Sequence, residues 1–368
     1  MIEINAALLR GIGLTVDLAD SARSLHEDDL DDVCVPTRLH RVAAVHRETL
    51  QLHDGFAEFT ARVLPRLTRI LLDAGDAIAV GDWVLSRDLG DGASWVHALV
   101  PPRSRIVRRD GDGSRHVVVS NVDRALLVMG LDDDFNLRRL ERYLALCHAS
   151  GVAVLVVLTK ADIAAADPVR RDSRRAALRA RLGDELEVLV VDATEAAAAA
   201  RFGHVIGLGQ TLVLLGSSGA GKSTLTNALL GRIAQDTGAV RAHDSRGMHT
   251  TTARTLHRIE GGACIIDTPG LRTLRVDADA ATLAASFADV ETLAGQCRFR
   301  DCTHGDEPGC AVRAAVDPDR LRNFKKLLRE TRRDSLGYVE RRQQLASWKS
   351  RGKAVRERMR LKRGDAGR

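Results

Sequence analysis

The run "GSSGAGKST" at residues 216–224 has the residue types and spacing to hold a polyphosphate. Gly216 and Gly221 flank Ser217, Ser218, Gly219 and Ala220, and Lys222, Ser223 and Thr224 follow. After an apolar strand and before a helix, this is a phosphate-binding loop. The glycines let backbone N–H groups curl around phosphate oxygens, and the helix N-terminus adds partial positive charge. Lys222 would neutralise β and γ oxygens, and the Ser223 hydroxyl would ligate Mg²⁺. The pattern is strong for a nucleoside triphosphate and silent on its base.

Two later stretches extend the site. "CIIDTPG", residues 264–270, ends an apolar strand in Asp267, which can hold Mg²⁺ through water, and Gly270, whose N–H can meet a γ-phosphate. Alone, D-x-P-G is a common turn; behind a phosphate loop it becomes a γ-phosphate sensor. Between the two lies "DSRGMHTTTARTL". Three consecutive threonines suit neither a tight turn nor a helix. A threonine hydroxyl reaching Mg²⁺ would make this a switch loop. Spacing does not separate Thr250 from Thr251, and Thr251 is the working assignment for Mg²⁺ and catalysis. His249 is either a solvated histidine or the group that orients the attacking water.

The base would be read elsewhere. "VLVVLTKAD", residues 154–162, is an apolar strand ending in Thr159, Lys160 and Asp162. A carboxylate here accepts two hydrogen bonds from the N1–H and exocyclic amine of guanine, which adenine cannot supply, while the lysine stem packs along the ring. The next strand ends at Asp192, Ala193 and Thr194, placed to back the base. An isolated K-x-D is weak evidence. Its order is informative: base-reading segment, phosphate loop, switch loop, D-x-P-G. A circle cut at a different point gives that order, and such cuts are tolerated where termini lie close together.

A separate cluster, Cys297-x4-Cys302-x-His304-x5-Cys310, offers three thiolates and an imidazole. That is a closed tetrahedral zinc site with no open position, so the ion would hold the fold and do no chemistry. A disulfide is the alternative, disfavoured where thiols stay reduced. Cys34, Cys147 and Cys264 are scattered and read as packing residues.

The elements that position these groups change rhythm along the chain. The 368 residues allow two or three domains, with 45% hydrophobic residues to bury cores. The first hundred residues carry short alternating runs between Gly/Asp turns, fit for a small OB-type barrel or a sandwich. With 3% aromatics overall, this module has few stacking platforms for bases. "PPRSRIVRRDGDGSR" reads as a polar, partly flexible connector. From about residue 115, near-continuous apolar strands alternate with helices, including an alanine-rich one near residues 196–200, which predicts a parallel sheet covered on both faces. After Asp277 the chain turns helical. The predicted division is 1–112 for the N-terminal segment and barrel, 113–280 for the nucleotide domain and 281–368 for the zinc-bearing helical domain with a basic tail. No apolar run reaches the ~18–20 residues a membrane span needs. The N-terminus lacks a secretory pattern, so a cytoplasmic protein is expected.

In combination, the N-terminal β module, the permuted motifs, "HTTT", "DTPG" and the zinc spacing resemble the RsgA (YjeQ) family of bacterial GTPases dependent on the small ribosomal subunit. "VGDWV", "PPRSRIVRR", "NVDRALLVMGLDDDFNLRRLERYL" and "RLRNFKKLLRE" match as well, over about residues 38–330. The resemblance implies an OB barrel, a circularly permuted α/β GTPase domain and a C-terminal zinc-binding helical domain. It also implies a monomeric enzyme that hydrolyses GTP to GDP on the maturing 30S subunit and its 16S rRNA, is stimulated by that subunit, and thereby controls its own release. His249 would position water, since the apolar Leu271 stands where Ras-like enzymes keep a glutamine nearby. Thr159 replaces the usual asparagine, and Asp192 the expected serine.

Charge adds a further expectation. Residues 320–368 hold 18 Lys and Arg against 5 Asp and Glu, more than the whole basic excess of a chain whose net charge is +6. Such a segment is either a solvated helix or an arm for phosphate backbones. Two other function classes stay open on sequence alone: an RNA-binding assembly module with a passive nucleotide site, and an ATP-using P-loop enzyme.

Overall fold

The computed structural model describes residues 2–28, 36–90, 92–110, 114–195, 197–233, 254–268 and 275–334. His249, Thr250, Thr251, Gly270, Leu271, Cys34 and the tail beyond residue 334 lie outside them.

The chain opens with β1 (Ile2–Glu3), α1 (Ala6–Arg10) and α2 (Val16–Asp28). The expected barrel strands follow as β2 (Thr37–Val45), β3 (Leu50–His53), β4 (Glu58–Val63), β5 (Trp83–Asp88) and β6 (Ser94–Leu99). Their pairings close a ring, β2 to β3, β3 to β4, β4 to β6, β6 to β5 and β5 back to β2, with only β4–β6 parallel. Alternation explains the ring, because Val42, Leu50, Leu52, Ala61, Val84 and Val96 point inward to a common core. A helix with no counterpart among the expected strands, α3 (Pro65–Asp73), follows β4 and plugs that core with Leu67. Proline at its first position fixes the entry.

The presumed connector is structured. Its residues form β7 (Arg105–Arg109), which pairs antiparallel with β8 (Arg115–Ser120) on one edge and with β15 (Arg275–Val276) on the other. Ile106 is fully buried, and the arginines that suggested a solvated linker have carboxylate partners. Arg109 and Arg115 donate to the two oxygens of Asp277 at 2.6 and 2.8 Å, and Arg105 holds Asp76. The expected 112/113 boundary falls between these paired strands.

The nucleotide domain contains β9 (Arg124–Gly130), α4 (Leu137–Ala149), β10 (Ala153–Thr159), α5 (Ala161–Ala165), α6 (Pro168–Leu182), β11 (Val188–Val190), β12 (Thr211–Leu215), α7 (Lys222–Leu230), β13 (Thr255–Arg258) and β14 (Cys264–Asp267). The spatial order is β11-β10-β9-β12-β14-β13, parallel except for β13. Successive residues feed opposite faces, as strand geometry requires. Leu126, Val128, Leu212 and Leu214 join one core, and Ala125, Leu127, Val213 and Leu215 the other. Joining the end of β14 to the start of β9, and cutting between β11 and β12, restores the order phosphate loop, D-x-P-G, base-reading segment. The alanine run corrects to a 3₁₀ helix, Ala198–Phe202. Buried Ala198 and Phe202 fix its path.

Of the last helices, α8 (Ala280–Ala285), α9 (Ala288–Ala294), α10 (Ala311–Ala315) and α11 (Pro318–Asp334), α8 and α11 dock on α4, α9 packs on α8 and α10 packs on α9. The centre of that contact is Glu141, whose side chain is 2% exposed. It accepts from Arg181 at 2.8 Å, Arg320 at 2.6 Å and Asn323 at 2.5 Å. Arg320 also grips Asp289 with two bonds and lies 4.7 Å over the Phe287 ring. Glu141→Gln keeps the shape but leaves buried guanidinium charge under-compensated. It is expected to cost about 3 kcal/mol, read as a lower urea midpoint at unchanged slope. Among the described residues no helix is long and apolar enough to cross a membrane.

Candidate functional site

The phosphate loop joins β12 to α7 at the centre of the sheet. Glycine is required at both ends of it. A Cβ on Gly216 would lie 2.3 Å from the Val128 carbonyl oxygen, and Gly221 caps α7 at φ +92°. Lys222 is 7% exposed and donates to the loop's own carbonyls, Gly216 at 2.9 Å and Ser217 at 2.5 Å. Burial lowers its ammonium below the usual range, opposed by Asp267 and Asp134. Burial likewise raises the Asp267 carboxyl, opposed by Lys222. Asp267 is 2% exposed, and among the described residues its Oδ2 has no hydrogen-bond partner, which fits a group meant for a cation or its water. Thr268, beside it, donates to the Leu214 carbonyl at 2.6 Å and pins the end of β14 to the phosphate-loop strand.

The base-reading segment lies against this loop. Thr159 is fully buried, and its hydroxyl donates to the Ala220 carbonyl at 2.5 Å. The replacement for asparagine thus ties the end of β10 to a loop 61 residues away. Lys160 follows in the left-handed region at φ +60°, and Asp162 is exposed in the first turn of α5. The carboxylate of Asp192 is spent locally, accepting from the Thr194 N–H at 2.8 Å and hydroxyl at 2.6 Å, so it shapes the turn after β11. Thr159→Val removes only the hydroxyl and strands the buried Ala220 carbonyl. It is expected to raise KM for GTP about tenfold, read by steady-state phosphate release.

Sequence reasoning missed two carboxylates in "GLDDDFN", between β9 and α4. Asp132 accepts from Lys160 Nζ at 2.6 Å, and Asp134 accepts from the Ser217 hydroxyl at 2.5 Å. Three aspartates directly after an apolar strand end were the available signal.

The four metal-type ligands converge as expected. One donor atom from each of Cys297, Cys302, His304 and Cys310 lies within 4.8 Å of all the others. The Sγ atoms of Cys297 and Cys310 are 3.9 Å apart, and each is 3.6 Å from His304 Nδ1. Tetrahedral zinc bonds of about 2.3 Å to sulfur and 2.0–2.1 Å to nitrogen would put ligands about 3.5–3.8 Å apart, so the set fits. Backbone N–H groups of Val312 and Ala311 pull the Cys297 thiol below its usual range. The Lys325 ammonium donates to the His304 carbonyl at 2.6 Å, fastening the cluster to α11.

Comparison with known proteins gives the same picture. Residues 100–277 match the family model described as RsgA GTPase. A protein of Xanthomonas oryzae pv. oryzae named small ribosomal subunit biogenesis GTPase RsgA is 43% identical over 295 residues, covering 78% of this chain and 79% of its own. A protein of the same name from Xanthomonas axonopodis pv. citri is 43% identical, covering 79% and 80%. Among solved structures, YjeQ from Thermotoga maritima superposes with a TM-score of 0.58 at 22% identity, over 80% of this chain and 98% of that one. YloQ, described as a circularly permuted GTPase, gives 0.55 at 19%, over 84% and 99%. These two share the fold, and with the closer relatives' identity over most of the chain, the protein belongs to the RsgA family of circularly permuted GTPases.

Proposed function

We infer that this chain hydrolyses GTP on the 30S ribosomal subunit during its late maturation, with stimulation by the subunit and release upon hydrolysis. The observation that carries the reading is the bond from Thr159 to Ala220, which ties the end of β10 to the phosphate loop and so supports a base read beside it. The 43% identity to proteins named for small-subunit biogenesis supplies the setting. In this reading N–H groups of residues 216–223 cradle the phosphates, Lys222 neutralises developing charge, and Asp162 selects guanine. Ser223 and Asp267 would hold Mg²⁺, which supplies charge neutralisation when bound with GTP. The cysteine–histidine set would hold one structural zinc. The water-orienting residue is assigned to His249 and the switch ligand to Thr251, both outside the described residues. The ring of five strands, with a helix between the third and fourth, supports an OB-type barrel facing 16S rRNA, and the three domains keep the divisions 1–112, 113–280 and 281–368. The protein would work as a cytoplasmic monomer.

GTP turnover measured with and without 30S particles tests the reading. Acceleration by the subunit is the expected outcome; an unchanged rate counts against the ribosomal part and favours a passive nucleotide clamp.

A further inference from the structure

The segment from Gly130 to Asn136 leaves the end of β9 and touches both halves of the nucleotide site. Asp132 holds Lys160 Nζ at 2.6 Å on the base side. Two residues later, Asp134 holds the Ser217 hydroxyl at 2.5 Å on the phosphate side. The segment is itself fixed. Asp134 accepts from the Gly130 N–H at 3.2 Å and from Arg139 at 2.6 Å, and the Asp134 N–H donates to Asp132 at 3.2 Å. Asn136 then caps α4, accepting from the Arg139 N–H at 3.0 Å. Gly130 makes the close approach possible, since a Cβ there would lie 2.4 Å from Asp132 Oδ1 and 3.3 Å from the Lys160 stem.

The grip on Lys160 has a conformational purpose. A non-glycine residue at φ +60° is sparsely populated and persists where its surroundings hold it. Asp132 supplies that hold. Lys160 is the N-cap of α5, and Asp162 sits in that helix's first turn, so the pose of Lys160 sets where the guanine-selecting carboxylate points.

We propose that Asp132 and Asp134 are positioning residues of the nucleotide site, Asp132 setting base selectivity through Lys160 and Asp134 setting the phosphate loop through Ser217. This rests on the guanine reading above. The two carboxylates act on different halves, so their loss should leave different signatures, which a general loss of stability would not.

The test is displacement of a fluorescent GDP analogue by GDP and by ADP, in the full chain with Mg²⁺. Asp132→Asn should weaken GDP about tenfold while leaving the weaker, phosphate-driven binding of ADP unchanged, so selectivity falls about tenfold. Asp134→Asn and Ser217→Ala should weaken both nucleotides by similar factors and leave selectivity intact. The double variant should be no worse than either single one. Ser217→Ala, which deletes one oxygen, guards against misfolding in the aspartate variants. Unchanged selectivity in Asp132→Asn, or additive losses for Asp134→Asn with Ser217→Ala, would overturn the proposal. A wild-type chain that binds ADP as tightly as GDP would instead overturn the guanine reading.

Discussion

Lys222→Ala is expected to lower kcat/KM for GTP by on the order of a thousandfold, the scale of losing one preorganised charge at a transition state. Only 7% of Lys222 is exposed, and its amine is already aimed by the carbonyls of Gly216 and Ser217. Phosphates brought to the loop would meet a cation whose position is fixed before they arrive, so little reorganisation remains. The same burial lowers its ammonium, and nucleotide phosphates would oppose that shift as Asp267 and Asp134 already do. Phosphate release under single-turnover conditions reads the effect, with circular dichroism checking the fold. A loss smaller than tenfold would mean that the lysine does not face the transferred group.

Removing the metal from the cysteine–histidine cluster should have the largest structural effect. Apparent binding of a structural zinc is worth roughly 10–16 kcal/mol at neutral pH. Residues 297–310 carry turns and no long element, and His304 stands at φ +58°. Cys302→Ser, or chelation, is expected to release about one equivalent of zinc and to expose residues 297–317 to trypsin. The α7-side core of the nucleotide sheet contains none of the cluster's ligands and should stay folded. Metal content by mass spectrometry and limited proteolysis check this together. A chain that loses zinc and keeps its cleavage pattern would contradict a structural role.

Features carried by local pattern were legible in the sequence. The barrel strands announced themselves by alternation, the sheet by apolar runs between helices, and the phosphate loop by glycine spacing. The permutation was legible because motif order survives in one dimension even though adjacency does not. The misses have physical reasons. Ile106 and Val107 were hidden among arginines whose partners, Asp76, Asp82 and Asp277, lie tens of residues away. Charge content therefore mimicked a linker. The α3 helix breaks the rhythm of strands around it, and short alternating runs on both sides left it unmarked. Asp132 and Asp134 had no motif to mark them, because their meaning lies in contacts to Lys160 and Ser217, 28 and 83 residues along the chain. Thr159 was read as a replacement for the usual asparagine; the short bond of its hydroxyl to the phosphate loop is one that only the folded chain can display.

All of this assumes that one guanine nucleotide spans two segments of the chain that are remote in sequence. A crystal structure with GDP and Mg²⁺ tests that most directly. The expected density has the guanine N1–H and amine donating to Asp162, its ring along the Lys160 stem, and its β-phosphate within the N–H groups of residues 216–223. A diphosphate seated at Lys222 with its base turned away from Asp162 would contradict the account.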